Sequence, residues 1–483
     1  MDTTHREQHR AAHARIDSDE ADMVEEVRRY LRQPGFSDTG VGILESAEMT
    51  LSYIQRLGCE DARLIATPGH PVVYGTLRSK RPHAKTLILY GLYDMTPVIA
   101  EEWSVDPLGA SIVDASKLNL PSSLGEVIVS RAAHNHRGPT LSSLLAIEAL
   151  LKTEGDVPCN LIFLIEGEEE IGSPSLPGVI EQLRPVLSEA SAAWLPCMYE
   201  GADQSMTLFR GFKGSLWAEL ECRGGDWGGT ADGRHLWAGH SVWIDSPLTQ
   251  VVRAVASFLD DQDRFCLDGL DSLNADITEE DRNQARELVA RHRLDPFADR
   301  DMLQTLNVTR LRGGADLADH LERFMFGVNV NIQGVHGGYE GPSFYTMLPG
   351  HARATLDVRF PVGMNGADIA DMMRSHLDRR GLNNVTLRTP GGYPAARTQA
   401  SDPILQAAAN AAKEYGVRTN MWPMYNGACP ASLFQELGTG LGFSFAGLGQ
   451  GERPHAPDEF IRTDAIGQLA HFTISYLHAW SEI

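Results

Sequence analysis

The hydrophobic positions of the chain fall into two rhythms. Met23, Val24, Val27, Tyr30 and Leu31 recur at helical spacing and Pro34-Gly35 closes the segment, which predicts a helix over 21–32. A second helix is predicted over 40–57. Thr86-Leu87-Ile88-Leu89-Tyr90 and Asn160-Leu161-Ile162-Phe163-Leu164-Ile165 are instead continuous apolar runs, the pattern of strands covered on both faces in a parallel sheet. Between them, 141–151 reads as a helix. Strand, helix, strand is the order of an α/β fold, in which polar chemistry collects beyond the carboxyl ends of the strands.

The texture changes after about residue 210. Leu216, Ala218 and Leu220 alternate with Trp217, Glu219 and Glu221, as in an antiparallel strand with one wetted face. Helices are predicted over 247–259 and 368–380, and strands over 352–360 and, from a further alternation, 324–332. Together these predict an inserted α+β domain. Pro390-Gly391-Gly392 marks the return, followed by a helix over 402–415 and an apolar strand over 441–445. Residues 1–20 are polar. His5, His9 and His13 among them read as part of a frayed tail, because their spacing matches no compact ligand set.

The 483 residues carry 42 Lys and Arg against 64 Asp and Glu, a formal net charge of −22. That field repels phosphate backbones and anionic lipid, so neither nucleic acid nor membrane is expected as a partner. No run approaches the ~18 apolar residues of a membrane span, and the polar start lacks the apolar stretch of a secretory signal. Six scattered cysteines without a CxxC pair read as free thiols. The expectation is a soluble cytoplasmic enzyme.

Four polar segments follow apolar ones. Asp94 stands in Gly91-Leu92-Tyr93-Asp94, where alone it is a turn carboxylate. Residues 131–139 carry His134, Asn135 and His136 ahead of a helix. Glu166-Gly167-Glu168-Glu169-Glu170 sets four carboxylates against the end of a buried strand, and their repulsion calls for a cation or a proton-transfer task. His455 stands in the segment 449–459.

Taken in order, these segments resemble the dizinc exopeptidase family of the carnosine dipeptidases, aminoacylases and glutamate carboxypeptidases. Residues 91–94 correspond to its Gly-His-x-Asp and 131–139 to its Arg-Gly-Ala-x-Asp-(Asp/Asn)-Lys-Gly-Pro. Residues 166–173 reproduce its Glu-Gly-x-Glu-Glu-x-Gly-Ser. The resemblance implies a catalytic α/β domain over 1–210 and 392–483, with a mainly parallel twisted sheet flanked by helices. It implies a lid domain over 211–391 that pairs into a homodimer. It also implies roles for single residues: Glu169 as general acid/base, Glu170 and His455 as metal ligands, and Asp94 as the group orienting the first metal-binding histidine. His235 would stabilise the oxyanion, Arg359 would clamp a substrate carboxylate, and Asn426 and Gly427 would belong to the substrate loop.

The departures matter as much. Leu92 stands where the first metal-binding histidine belongs, Asn135 replaces the bridging aspartate, and no aspartate occurs near Trp194-Leu195-Pro196-Cys197. Glu170, His455 and the Asn135 oxygen make a weak or vacant metal site. Cys197, His134 and His136 are poorer substitutes, the two histidines pointing opposite to Asn135 if the segment is extended. No zinc or one zinc ion is therefore expected rather than two. The carboxylate repulsion would then be relieved by a raised pKa, or by Arg137 or a protonated His136. The expected substrate is a small amide- and carboxylate-bearing amino-acid derivative. Three functions stay open: amide hydrolysis through Glu169; a metal-independent lyase, isomerase, cyclase or acyl transferase; and a non-catalytic binding homologue.

Overall fold

The two continuous apolar runs become neighbouring parallel strands near the middle of an eight-stranded sheet in a computed structural model of the chain. The structure describes residues 5–201, 203–270, 273, 275–291, 309, 312, 317–437 and 441–483. The strand order is Glu60–Ile65, Val72–Leu77, Asn160–Glu166, Thr86–Leu92, Ala192–Pro196, Gly442–Ala446, Ser205–Phe209, Arg418–Trp422. Pairing is parallel at the centre. It turns antiparallel at the Val72–Leu77 side and between Gly442–Ala446 and Ser205–Phe209, so the sheet is mixed. The apolar runs are continuous because both faces are covered. Leu87, Leu89, Phe163 and Ile165 join the core of Arg137–Glu154, Arg10–Leu31 and Ala465–Glu482, while Ile88, Tyr90, Ile162 and Leu164 join that of Leu176–Leu187 on the other face.

A four-stranded antiparallel sheet holds a separate core. Its order is Asn329–His336, His351–Phe360, Gly214–Arg223, Thr386–Gly391. Leu216, Ala218 and Leu220 point into that core with Val251, Ile369 and Met373 of helices Pro247–Ser257 and Gly366–Arg379. The connections into and out of this sheet clasp each other. Ser215 N donates to Tyr393 O at 2.8 Å, and Tyr393 N donates back to Ser215 O at 3.1 Å. A Cβ on the adjacent Gly392 (φ +141°) would lie 2.1 Å from Ser215 O, so the crossing requires glycine.

Two expectations are corrected. Residues 5–20 are not frayed: helix His5–Gln8 leads into Arg10–Leu31, and Ala12, His13 and Ile16 are buried. Their apolar stripe starts at Ala12, about three turns before Met23, hidden among charged neighbours. The alternation at 324–332 is a helix, Leu317–Phe326, followed by the strand Asn329–His336. The helix stops at Gly327, where the buried Lys213 Nζ donates to the carbonyls of Arg323 (3.0 Å) and Gly327 (2.6 Å) and satisfies the exposed end of the helix. The expected apolar strand near 441–445 is present as Gly442–Ala446. After it come two short strands, Gly451–Glu452 and Phe460–Arg462, which pair with Glu126–Val129 and Ser111–Asp114 in a small four-stranded sheet, and then the helix Ala465–Glu482. In addition, Glu279–Arg291 and Leu317–Phe326, though inside 211–391, give Ala285, Leu288, Leu321 and Met325 to the core of the large sheet. No helix among the described residues is long and apolar enough to cross a membrane.

Candidate active site

The four carboxylates after Asn160–Glu166 divide into two pairs. Glu166 accepts hydrogen bonds from the Tyr90 hydroxyl (2.6 Å) and Ser173 Oγ (2.8 Å), and Glu168 accepts from the backbone N–H groups of His70 (2.8 Å) and Ser175 (3.0 Å). Both brace the loop. A short 3-10 turn, Glu169–Ile171, presents the other two. Burial, then the nearby charge of Asp94, pushes the Glu169 carboxyl up to about 8, opposed by the Arg359 guanidinium. Asp94 is itself fully buried and accepts from Glu170 N at 2.9 Å; burial raises it to about 6. Tyr393, from the clasp, donates its hydroxyl to the Glu169 carbonyl at 3.2 Å.

Glu170 is held differently. Its carboxyl is raised well above the ordinary range by burial and by Glu169 and Asp94. Its Oε1 accepts from the Asn135 amide nitrogen at 2.6 Å. The same Nδ2 lies 2.9 Å from His455 Nε2, and His455 Nε2 lies 3.4 Å from Glu170 Oε2. The amide nitrogen therefore sits between the Glu170 carboxyl and the His455 imidazole.

Glu459 fixes that loop, a role that nothing in its sequence context signals. Fully buried, it accepts from the backbone N–H groups of His134 (2.9 Å) and Asn135 (2.8 Å) with one oxygen. The other oxygen accepts from Ala132 N (3.2 Å) and Arg131 (2.8 Å). His134 turns away to the Met198 carbonyl (3.3 Å), edge-on to Tyr199. His136 is buried over Phe445, and burial pushes it down to about 3, so it is neutral. Arg137 is also buried, donating to the Tyr93 carbonyl (2.7 Å) and Ser46 Oγ (2.7 Å). Of the two expected cations, Arg137 offsets the charge of Asp94 while the neutral His136 offsets nothing; the cation facing Glu169 is Arg359, with its guanidinium held by Asp357 at 2.8 Å.

Other expected residues lie around this centre or apart from it. Leu92 is packed into the apolar layer under the sheet. Cys197 is buried there too, its thiol raised well above the usual range by burial, and the nearby Glu200 accepts from Gly449 N at 3.2 Å. Asn426 has a buried Oδ1 without a hydrogen-bond partner among the described residues, and a Cβ on Gly427 would lie 2.2 Å from the Tyr425 ring. His235 is not brought to Glu169: its Nδ1 accepts from Gly350 N (3.1 Å) and its ring lies against His351, near the exposed Trp237.

The donor set does not fit the two-metal centre implied by the resemblance. Among the described residues, no three His, Cys, Asp or Glu side chains of this cleft bring donor atoms close enough to share an ion. Leu92 supplies no lone pair, and the Asn135 amide presents N–H where an anionic bridge belongs.

Comparison with known proteins gives the lineage. The model of peptidase family M20/M25/M40 matches residues 114–479. Human Beta-Ala-His dipeptidase is 22% identical over 385 residues, covering 74% of this chain and 66% of that protein. For its rat counterpart the identity is 22% over 334 residues, covering 66% and 59%, so the chain spans about three fifths of that relative's length. The Cys-Gly metallodipeptidase DUG1 of Candida albicans is 21% identical, over 85% of this chain and 84% of its own. Among solved structures, the M20 family metallo-carboxypeptidase Sso-CP2 from Sulfolobus solfataricus superposes with a TM-score of 0.82 at 25% identity, covering 95% of this chain and 99% of that one. The dipeptidase Dug1p of Saccharomyces cerevisiae superposes at 0.84 and 19% identity, over 98% of both chains. The family match runs over well more than half of the sequence and ends only at the last helix, and on that ground the chain belongs to peptidase family M20/M25/M40.

Proposed function

We propose that this chain is an amidohydrolase-like enzyme acting on a small amide- and carboxylate-bearing amino-acid derivative, with Glu169 moving the proton and a cleft that holds at most one metal ion. The observation that carries this reading is the Asn135 amide lodged between Glu170 and His455. Its nitrogen reaches both side chains, where a shared metal ion would otherwise bind. Glu169 beside it, kept largely protonated near neutral pH by burial and Asp94, suits a general acid that delivers its proton to a leaving nitrogen and recovers one from water. Arg359, held planar by Asp357, suits bidentate capture of a substrate carboxylate, and the buried Asn426 Oδ1 suits an N–H donor. The dipeptidases among the relatives support the substrate class.

In this reading 211–391 serves as a lid and as the dimer contact. Trp237, Val242, Trp243, Phe344 and Tyr345 are large apolar side chains exposed near His235 or on the neighbouring loop, which supports pairing with a second copy. Pairing would carry His235 toward the partner's cleft. Six cysteines without a disulfide support a cytoplasmic setting.

Glu169→Gln is the direct test. Turnover of dipeptides and N-acyl amino acids should fall by at least about 100-fold; unchanged kcat removes Glu169 from the reaction. Zinc analysis tests the metal count. Protein purified without chelator and its Glu170→Gln variant should differ by one equivalent or less, and a loss of two overturns the proposal.

A further inference from the structure

Three distant parts of the chain meet at the end of the molecule away from the cleft. His9 stands at the start of Arg10–Leu31, Glu154 is the last residue of Arg137–Glu154, and His478 lies in the last turns of Ala465–Glu482. Glu154 Oε1 lies 2.7 Å from His9 Nδ1, and its Oε2 lies 3.9 Å from His478 Nε2. The two imidazoles stack with centroids 3.4 Å apart and planes 17° apart, so one nitrogen from each ring faces one oxygen of the same carboxylate. These are the described residues whose three potential ligand atoms all fall within 4.8 Å of one another.

We propose that His9, Glu154 and His478 form a structural zinc site that fastens the amino-terminal helices to the carboxyl-terminal one. Two imidazoles and a carboxylate are a known three-ligand zinc set that leaves the fourth position to water; zinc sites closed only to fix a fold usually take four protein ligands, so here the ion would bridge the helices with one position open. Ligands ~2.1 Å from one tetrahedral ion lie ~3.4 Å from each other. The observed separations of 2.7 and 3.9 Å, each to a different Glu154 oxygen, bracket that spacing, and one imidazole has to turn out of the stack for both in-plane lone pairs to reach a single ion. An ion pair alone explains less. A protonated His9 satisfies Glu154 Oε1 but stacks a cation against the buried His478 ring, whereas a shared ion draws a lone pair from both. One turn along the first helix and two turns back along the last, the same elements meet again as His13 and His471. There Nδ1 faces Nδ1 at 2.8 Å, so one ring must donate to the other. That second contact is a hydrogen bond, not a ligand pair.

The site is separable from the cleft, because Arg137–Glu154 places ~27 Å of helix between them. The experiment uses the Glu170→Gln protein, which silences the cleft ligand. After dialysis against metal-free buffer it should take up one equivalent of zinc at low micromolar concentration, and cobalt in its place should give visible d–d absorption. Zinc should slow hydrogen exchange of the amides over 10–17. His9→Ala and Glu154→Gln on that background should weaken uptake by more than the ~10–100-fold that an outer partner costs. His9 is only partly buried and Glu154 is exposed, so both variants should fold, whereas the buried His478 is left unchanged. No uptake, or uptake unchanged in both variants, overturns the proposal and leaves an ion pair only. Either result stands apart from the Glu169→Gln outcome.

Discussion

The helix Arg137–Glu154 has a glutamate–histidine cluster beside each end, and the two are opposites in hydrogen-bonding character. Near its amino end the Asn135 amide donates between Glu170 and His455 and closes the cluster internally. At its carboxyl end three groups with lone pairs converge around Glu154. The same residue types thus make a self-satisfied site in one place and a cation-seeking one in the other. A single amide decides which.

The largest expected effect tests whether the amino-end cluster serves a reaction at all: Glu169→Gln lowers kcat by ~10²–10⁴ in steady-state assays. Next, Glu459→Gln leaves Arg131 buried without its counter-charge and frees the Asn135 loop. Unfolding in denaturant should register a loss of about 3–5 kcal/mol, and a loss below about 1 kcal/mol would mean the loop is held by other contacts. Asn135→Asp makes the amino end resemble the carboxyl end. In a Glu154→Gln background it should tighten zinc binding at the cleft by at least about tenfold, by the charge it adds; unchanged affinity in equilibrium dialysis breaks the comparison.

The smallest effect concerns the helix contact beside the carboxyl-end cluster. His13, packed by His471, Arg6, His9 and Tyr415, is lowered from 6.5 to about 3, chiefly by burial. Its folded pKa lies below the unfolded one, so the unfolded chain binds the proton first. Stability therefore falls as pH drops from 6.5 toward 3, by up to about 2 kcal/mol near pH ~5. His13→Gln should flatten that part of the stability–pH curve.

Much of the fold is legible in the pattern of apolar residues. The strands Thr86–Leu92 and Asn160–Glu166 announce themselves because helices cover both faces. The helix Ala465–Glu482 goes unseen because it is buried nearly all round and carries no single apolar stripe. In the cleft, residue types at strand ends point to Asp94, Glu169, Glu170 and His455, but not to what Asn135 does there. That depends on which way one amide faces. Glu459 gives no signal, since an acidic pair, Asp458-Glu459, ahead of a short strand looks like any other. His9 looks idle for a different reason: its neighbours Glu154 and His478 lie far away along the chain.

The clasp between Ser215 and Tyr393 sets side by side the two stretches of chain that pass between the sheets, which pair again at Gly211–Phe212 and Ala396–Arg397. A swing of the smaller sheet over the larger would turn about those paired peptides, and the Tyr393 hydroxyl would pass the same rotation to the carbonyl of Glu169. Opening and closing would then be felt at the proton-carrying turn through a tether one side chain long.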